Sequence, residues 1–510
     1  MIRALFVVEA AIILLTSIKY LRIAQREHYI PKSVTRFALR WYKYNFSFLL
    51  LALVFFSGFV SVFYWQLSLV TVVILIFSPL KLTYKGKTSK LVYTRRLKTI
   101  LATLVIIYII LDLISYLFIG LKYLGIYLLL SGVFLPLFLD VVLIINRPLE
   151  GLVSNKYERL ARKKLSEIDP VVVGITGSYG KTTTKVLVGH LLQNSFEVLC
   201  SPKSFNNRNG LTRTVLEYLT QYTQILVAEM GTYGKGEIKE MVSWMKPQVA
   251  ALIAVGPVHL ERMKSLENIL KAKSEIFETA EYAVINFDDP LIAAFSNELS
   301  KLGKRVCKCS KSASQINSCD VVVCSRSEDT FELFIKGNSV GTFDNKNLEV
   351  PLIDLSVAIG IVLYFDLSTE QIVRGLAALP QVEHRAIPMT NDRGVIIIDD
   401  TFNSNPSGAS FALKKAVSYR SKDSNLYVVT PGMVEMGPMQ HDANNDFAEE
   451  VLKAGGTLLV VKNTNKLALM VDNLRCIWFK DLKAVQSWLK QNSKPSDVVL
   501  FENDLPDHYP

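Results

Sequence analysis

A lysine and a threonine placed directly after a glycine-bearing turn form a combination suited to gripping phosphate. Residues 171–192 read VVVGITGSYGKTTTKVLVGHLL. VVVGITG is a β-branched strand running into glycines, and SYGKTTTKVLVGHLL opens a helix. In that arrangement backbone N–H groups and the helix N-terminus face an anion. Gly177 and Gly180 shape the turn, and Lys181 would reach the β and γ phosphates of ATP. The Thr182 hydroxyl would ligate Mg2+, with Thr183 completing the cofactor-binding set. The strict form G-x-x-x-x-G-K-[ST] is not met: Ile175 holds the first glycine position and Gly174 sits one residue earlier. The strand context, the three glycines and the stretches that follow carry the ATP assignment.

Two later runs, ILVAEMG at 225–231 and VAALIAVGP at 249–257, read as buried strands ending in polar residues. Ligands in an open parallel sheet sit beyond the carboxyl ends of the strands. Glu229 and His259 fall at such ends. Either one alone reads as structural; together, after a phosphate loop, they are predicted metal ligands beside the phosphates.

These residues need a parallel sheet to position them. Strand and helix patterns alternate over 170–380, which predicts a parallel sheet flanked by helices, the α/β P-loop ATPase domain. The section 305–350 adds strands at its edge, and 381–510 gives a second, Rossmann-like α/β domain. A hinge near Gln381–Asp392 would let the second domain close over the nucleotide.

The chain before residue 146 is different. Half of the 510 residues are hydrophobic, and the excess is concentrated in apolar runs at about 4–20, 46–63, 66–80, 99–119 and 122–146. Spans of about 20 residues cross a bilayer, so an all-α transmembrane region with about five spans is predicted over 1–146, followed by a basic linker helix over 147–169. Glu9, Asp112 and Asp140 fall within the runs, a pattern weaker than a transport relay. Arg22, Arg26, Lys32, Arg36, Arg40 and Lys43 lie between the first and second runs. Lys81, Lys85, Lys87, Lys90, Arg95, Arg96 and Lys98 lie between the third and fourth. Lys and Arg favour the cytoplasmic side. The expectation is a multi-pass cell (inner) membrane protein with its N-terminus outside and its catalytic domains cytoplasmic. The net charge of +11 follows from these loops, and with no motif that reads RNA or DNA no nucleic acid is expected as a partner. The six cysteines all follow the apolar region. Cys307, Cys309, Cys319 and Cys324 do not match paired C-x-x-C zinc spacing, so reduced thiols are expected.

The stretches SFNNRNGLTRTVLE (204–217), YAVINFDDP (282–290), VEHRAIPMTNDRGVIIIDDTFNSNPSGASFALKKA (382–416) and TPGMVEMG (430–437), added to those above, resemble the Mur ligase family. Its members are ATP-dependent amide-forming enzymes of peptidoglycan precursor synthesis. The likeness covers about 170–500, and IDDTFNSNP resembles the members that add D-alanyl-D-alanine to a UDP-linked tripeptide. It implies that a carboxylate attacks the γ-phosphate of ATP and that an amine then displaces phosphate from the acyl phosphate. It implies catalytic roles for Lys181, His259, Lys273 and Arg385. Metal ligands would be Thr182, Glu229, His259 and Lys273, the last as a carbamate. Asn286, Arg385 and Asp400 would contact the nucleotide; Asn206, Asn207, Asn403 and Asn405 would lie near the substrates. The implied partners are a cell-wall precursor acceptor and an amino acid or dipeptide, with the bilayer and membrane cell-wall enzymes nearby. The sequence also departs from the pattern: the apolar runs and basic loops stand where the UDP-sugar-binding domain is usual, PLIDLSVAIG replaces the usual G-x-H-N-x-x-N helix start, and Phe402 replaces tyrosine. The alternatives are a ligase of another amino acid onto a lipid-linked precursor, an ATP-driven membrane transporter or regulator, and a scaffold whose core no longer turns over.

Overall fold

The computed structural model describes residues 2–44, 52–53, 55–56, 59–60, 63–64, 82, 91–118, 124–327, 330–344, 351–377, 379, 387–401 and 405–504. The chain divides into two units. The first is built on residues 1–155 and the second comprises Lys156–Asn503.

In the first unit helices span Ile2–Arg26, Ser33–Tyr44, Arg95–Phe118 and Leu124–Val133, and a further helix, Leu135–Ile168, begins there and continues past it. Among the described residues one helix, Arg95–Ser115, is long and apolar enough to cross a membrane. The second and third predicted runs lie largely or wholly outside the described residues. The boundary expected at residue 146 is not a break: the Leu135–Ile168 helix carries Pro148 in its interior. Proline there removes one backbone donor, and the helix persists around it. Several polar groups of these helices find partners close by. The Asp140 carboxylate accepts from the backbone N–H groups of Val34 (3.3 Å) and Thr35 (2.8 Å) at the start of the Ser33–Tyr44 helix. That is a favourable place for a negative charge. Tyr127 donates to Asp112 (2.5 Å) and Tyr108 to the Ser131 carbonyl (2.8 Å).

The second unit holds two sheets. The larger has the order β2-β3-β1-β4-β5-β6-β7-β8-β9. Its strands are β1 Val171–Thr176, β2 Val198–Cys200, β3 Ile225–Glu229, β4 Val249–Leu252, β5 Tyr282–Asn286, β6 Arg305–Ser310, β7 Val321–Ser325, β8 Thr330–Ile335 and β9 Asn338–Asp344. Pairing is parallel from β2 through β7, and β8 and β9 add an antiparallel hairpin at the edge. The added edge strands expected over 305–350 are these. The central strands are apolar in nearly every position because both faces are covered. Val173, Ile175, Val227 and Ala251 enter one core, and Val172, Leu226, Ala228 and Ala250 enter the other.

The smaller sheet has the order β10-β11-β15-β12-β13-β14. Its strands are β10 Ile387–Thr390, β11 Ile396–Asp400, β12 Leu426–Thr430, β13 Thr457–Val461, β14 Cys476–Phe479 and β15 Val498–Glu502. It is parallel apart from β10 on β11.

The order β3-β1-β4 in the larger sheet matters for function. The chain leaves β1 toward β2 and β3, then crosses to β4 on the other side. A crevice opens beyond the carboxyl ends of strands at such a reversal. The loop after β1, the end of β3 and the segment after β4 all meet there.

Candidate active site

β1 feeds a loop, Gly177–Gly180, that turns into the helix Lys181–Leu192. Gly180 adopts φ 84°, and a Cβ there would meet Asp354 Oδ1 at 2.6 Å. Positive φ and lack of room together require glycine. Gly256, after β4, is required by a neighbour instead: a Cβ would fall 2.5 Å from the Tyr179 ring. The Lys181 Nζ donates to the Gly177 carbonyl (2.8 Å), holding the lysine over the loop it closes.

Around the loop lies a cavity of about 210 Å³. Lys181, Thr182, Asn206, Glu229, His259 and Lys273 line it, and Asn405 joins them from the segment after β11. Most of the residues predicted for phosphate and metal, and two of those predicted for substrate, are therefore drawn to one place by five separate stretches of the larger domain and one of the smaller.

Glu229 is the most constrained of them. It ends β3 with 1% of its surface exposed. Thr182 Oγ1 (2.9 Å) and Lys185 Nζ (3.2 Å) donate to one carboxylate oxygen, and Asn206 Nδ2 (3.0 Å) to the other. Burial alone pushes this carboxyl up. The Lys185 and Lys181 charges and the Asn206 and Thr182 hydrogen bonds outweigh burial and hold it below its usual range. Lys185 also donates to the Lys203 carbonyl (2.6 Å), so one buried ammonium ties the phosphate-loop helix to Glu229 and to the loop bearing Asn206.

Lys273 is buried at the end of the helix Leu266–Ser274. Burial first, and then the Lys181 charge, push its ammonium well below the lysine range. A shift in that direction favours the neutral, nucleophilic amine that carbamate formation requires. His259 stands at φ 63°, a left-handed position that a non-glycine residue seldom takes. Its Nδ1 lies 2.8 Å from the Glu435 carboxylate, and its ring packs on Tyr233 at 4.7 Å.

Some predicted residues sit elsewhere. Asn207 caps the helix Arg208–Tyr218 by accepting from Gly210 N–H (2.9 Å). Asn405 caps the helix Pro406–Ser418 through Gly408 N–H (2.9 Å), so it has a structural task as well as a cavity-lining one. Asn286 donates to the Ile253 carbonyl (2.8 Å) and accepts from Asp288 N–H (2.9 Å), joining the ends of β4 and β5. Thr183 is fully buried. Asn207, Asn286, Thr183 and Asp400 are not among the residues that line the cavity. Arg385 and Asn403 lie outside the described residues. Sequence reasoning missed Lys185, Tyr179 and Glu435. Lys185 stands four residues after Lys181, one helical turn on, which was a usable signal; nothing local pointed to Glu435.

The donors fit Mg2+ with its preference for oxygen: a threonine hydroxyl and a carboxylate, with an imidazole across the cavity. Among the described residues no three His, Cys, Asp or Glu side chains gather as a metal cluster. The site would therefore rely on phosphate oxygens and water for the remaining positions, as Mg2+ sites commonly do.

Residues 175–352 match the Mur ligase middle domain. The chain carries a Mur ligase middle domain. Over a longer stretch, it is 26% identical over 357 residues to UDP-N-acetylmuramoyl-tripeptide–D-alanyl-D-alanine ligase of Bacillus subtilis, covering 68% of this chain and 75% of that one. The enzyme of the same name from Mycobacterium tuberculosis is 32% identical over 255 residues, 48% of each chain. Among solved structures, the MurF ligase of Thermotoga maritima in complex with ADP aligns with a TM-score of 0.59 at 24% identity, covering 69% of this chain and 80% of that one. That likeness is one of fold. The middle domain accounts for the phosphate loop, Glu229, His259 and Lys273; Asn405 and Glu435 come from beyond it.

The Lys185–Glu229 pair yields a stability prediction. Both side chains are almost wholly buried, and removing one member of such a pair costs about 3–5 kcal/mol. Lys185→Met is expected to lower the urea midpoint of the second unit markedly, and Lys185→Met/Glu229→Gln to recover most of the loss. A double variant no better than the single one would show that the two charges do not compensate each other.

Proposed function

We propose that this chain is an ATP-dependent ligase that forms an amide bond in peptidoglycan precursor synthesis, adding D-alanyl-D-alanine to a muramoyl-tripeptide. The observation that carries the reading is the meeting, in one cavity, of the phosphate loop, Glu229, His259, Lys273 and Asn405. The named relatives support the choice of substrates.

In this reading the tripeptide carboxylate attacks the γ-phosphorus of ATP, releasing ADP and forming an acyl phosphate. The amine of the dipeptide then attacks the acyl carbon, and inorganic phosphate leaves. Bound Mg2+ supplies positive charge against the repulsion between carboxylate and triphosphate. Thr182, Glu229 and His259 would hold it, with Lys273 as a carbamate. The backbone N–H groups of the Gly177–Thr182 loop and the Lys181 ammonium bind the phosphates. Lys185, Asn206 and Thr182 keep the Glu229 carboxylate ionised and fixed. Arg385 and Asp400 would contact the nucleotide as the smaller domain closes, and Asn206 and Asn405 stand toward the substrates.

We further propose that the first unit anchors the enzyme in the cell membrane with its catalytic domains in the cytoplasm. The helix Arg95–Phe118 has 24 residues, about 36 Å at 1.5 Å per residue, enough for a hydrocarbon core of about 30 Å. Only 22% of its most apolar window is buried; Ile109, Leu113, Leu117 and Phe118 are all exposed. A soluble core helix buries such residues; a lipid-facing one exposes them. Arg95, Arg96 and Lys98 sit at its N-terminal end, the cytoplasmic side by the charge rule. The anchor would place the ligase beside a membrane enzyme that consumes its product, or beside a lipid-linked acceptor.

In detergent with ATP and Mg2+, the chain is expected to release ADP only when D-alanyl-D-alanine and a muramoyl-tripeptide are both present. Running UDP-linked and lipid-linked tripeptides side by side identifies the acceptor, and inactivity with both contradicts the ligase reading. Lys181→Ala should lower the rate at least 100-fold. Stripping dissolved CO2 should lower the wild-type rate and added bicarbonate restore it; a rate indifferent to both argues against a Lys273 carbamate. On fractionation the full chain should pellet with membranes, resist high salt and alkaline carbonate, and dissolve in detergent. Release by carbonate alone would rule out the anchor.

A further inference from the structure

His259 is held from outside the middle domain. Its partner, Glu435, lies in the loop after β12, in the smaller sheet's domain, 176 residues away in sequence. The Glu435 carboxylate can only accept a hydrogen bond when ionised. The 2.8 Å contact to Nδ1 therefore calls for a proton on Nδ1, and in the neutral ring that leaves the lone pair on Nε2, the form in which imidazole binds a cation. The contact is braced on both sides. Arg262 Nη2 lies 3.9 Å from the other Glu435 oxygen, and its guanidinium lies 5.3 Å above the Tyr233 ring that packs on His259. Glu261 N–H points to the Glu435 carbonyl at 3.4 Å. Both residues of the pair hold left-handed backbone, His259 at φ 63° and Glu435 at φ 65°. Such conformations are costly and persist where surrounding contacts enforce them.

We propose that Glu435 is a positioning residue: from the C-terminal domain it fixes the orientation and tautomer of His259, so that the cation-binding set of the middle domain is complete only when the C-terminal domain is docked. This rests on the ligase reading above. It goes beyond it in making cation affinity a reporter of domain docking. Asn405, which also enters the cavity from that domain, and the hydrogen-bonding contact between the Ser407 and Tyr179 hydroxyls show that the same docking reaches the phosphate loop.

The test is Mn2+ binding, read by electron paramagnetic resonance, to the full chain in detergent with a non-hydrolysable ATP analogue. Groups that orient a metal-ligating histidine are worth 10–100-fold in metal affinity. Glu435→Ala is expected to weaken Mn2+ binding by about that factor. Glu435→Gln, whose amide oxygen can still accept from Nδ1–H, should stay within a few fold of wild type. Binding of the analogue without metal and the thermal midpoint should not move in either variant, which a purely structural role for Glu435 would not allow. Wild-type Mn2+ affinity in Glu435→Ala overturns the proposal and leaves the ligase reading intact. A wild-type chain that binds no Mn2+ with the analogue overturns both.

Discussion

A carboxylate with almost no access to water must be compensated by its neighbours, and Glu229 shows how much of this molecule that requirement organises. Its three donors come from the helix that follows the phosphate loop and from the loop that leads into the Arg208–Tyr218 helix. An isolated buried charge is too costly to persist; with Thr182, Lys185 and Asn206 in place it is retained as an anion. The same contacts lock the ends of β1, β2 and β3 together at the reversal of strand order. Stability and function coincide here: the site keeps a negative charge within reach of bound phosphates because two lysines stand beside it.

The second constraint is that the cavity is not the property of one sheet. The middle domain supplies the loop and the groups at its strand ends, while Asn405 and Glu435 arrive from the smaller sheet. Left-handed backbone at His259 and Glu435 marks the place where the two contributions meet. Strain of that kind survives because neighbours on both sides hold it.

Much of this was legible in the sequence. The alternation of apolar strands with helices over 170–380 announced a parallel sheet, and Lys181, Thr182, Glu229 and His259 were readable as residues just past strand ends. Short strand-like runs over 305–350 pointed to extra strands at the sheet edge, though not to their antiparallel hairpin. What resisted reading depended on partners distant in sequence or on competing local uses. Asn207 and Asn405 are expected near the substrates; each side chain also accepts the backbone N–H three residues on, the ordinary task of asparagine at a helix start. Asn286, expected at the nucleotide, has a structural task as well: its side chain ties the ends of two strands together. Glu435 carries no local signal, since its meaning lies in a histidine far upstream. Hydropathy separates an apolar run ending at residue 146 from a basic linker helix after it, but helical hydrogen bonding does not follow hydropathy, and one helix runs through both and past Pro148.

The outer border of the larger sheet has a further consequence. β9, Asn338–Asp344, turns mostly exposed, polar positions outward and includes Gly341 at φ 154°; the opposite border, β2, is only three residues long. Strands that are short, polar or irregular make poor templates for sheet-to-sheet growth. Borders of this kind keep neighbouring copies from joining edge to edge, however densely the molecules are packed.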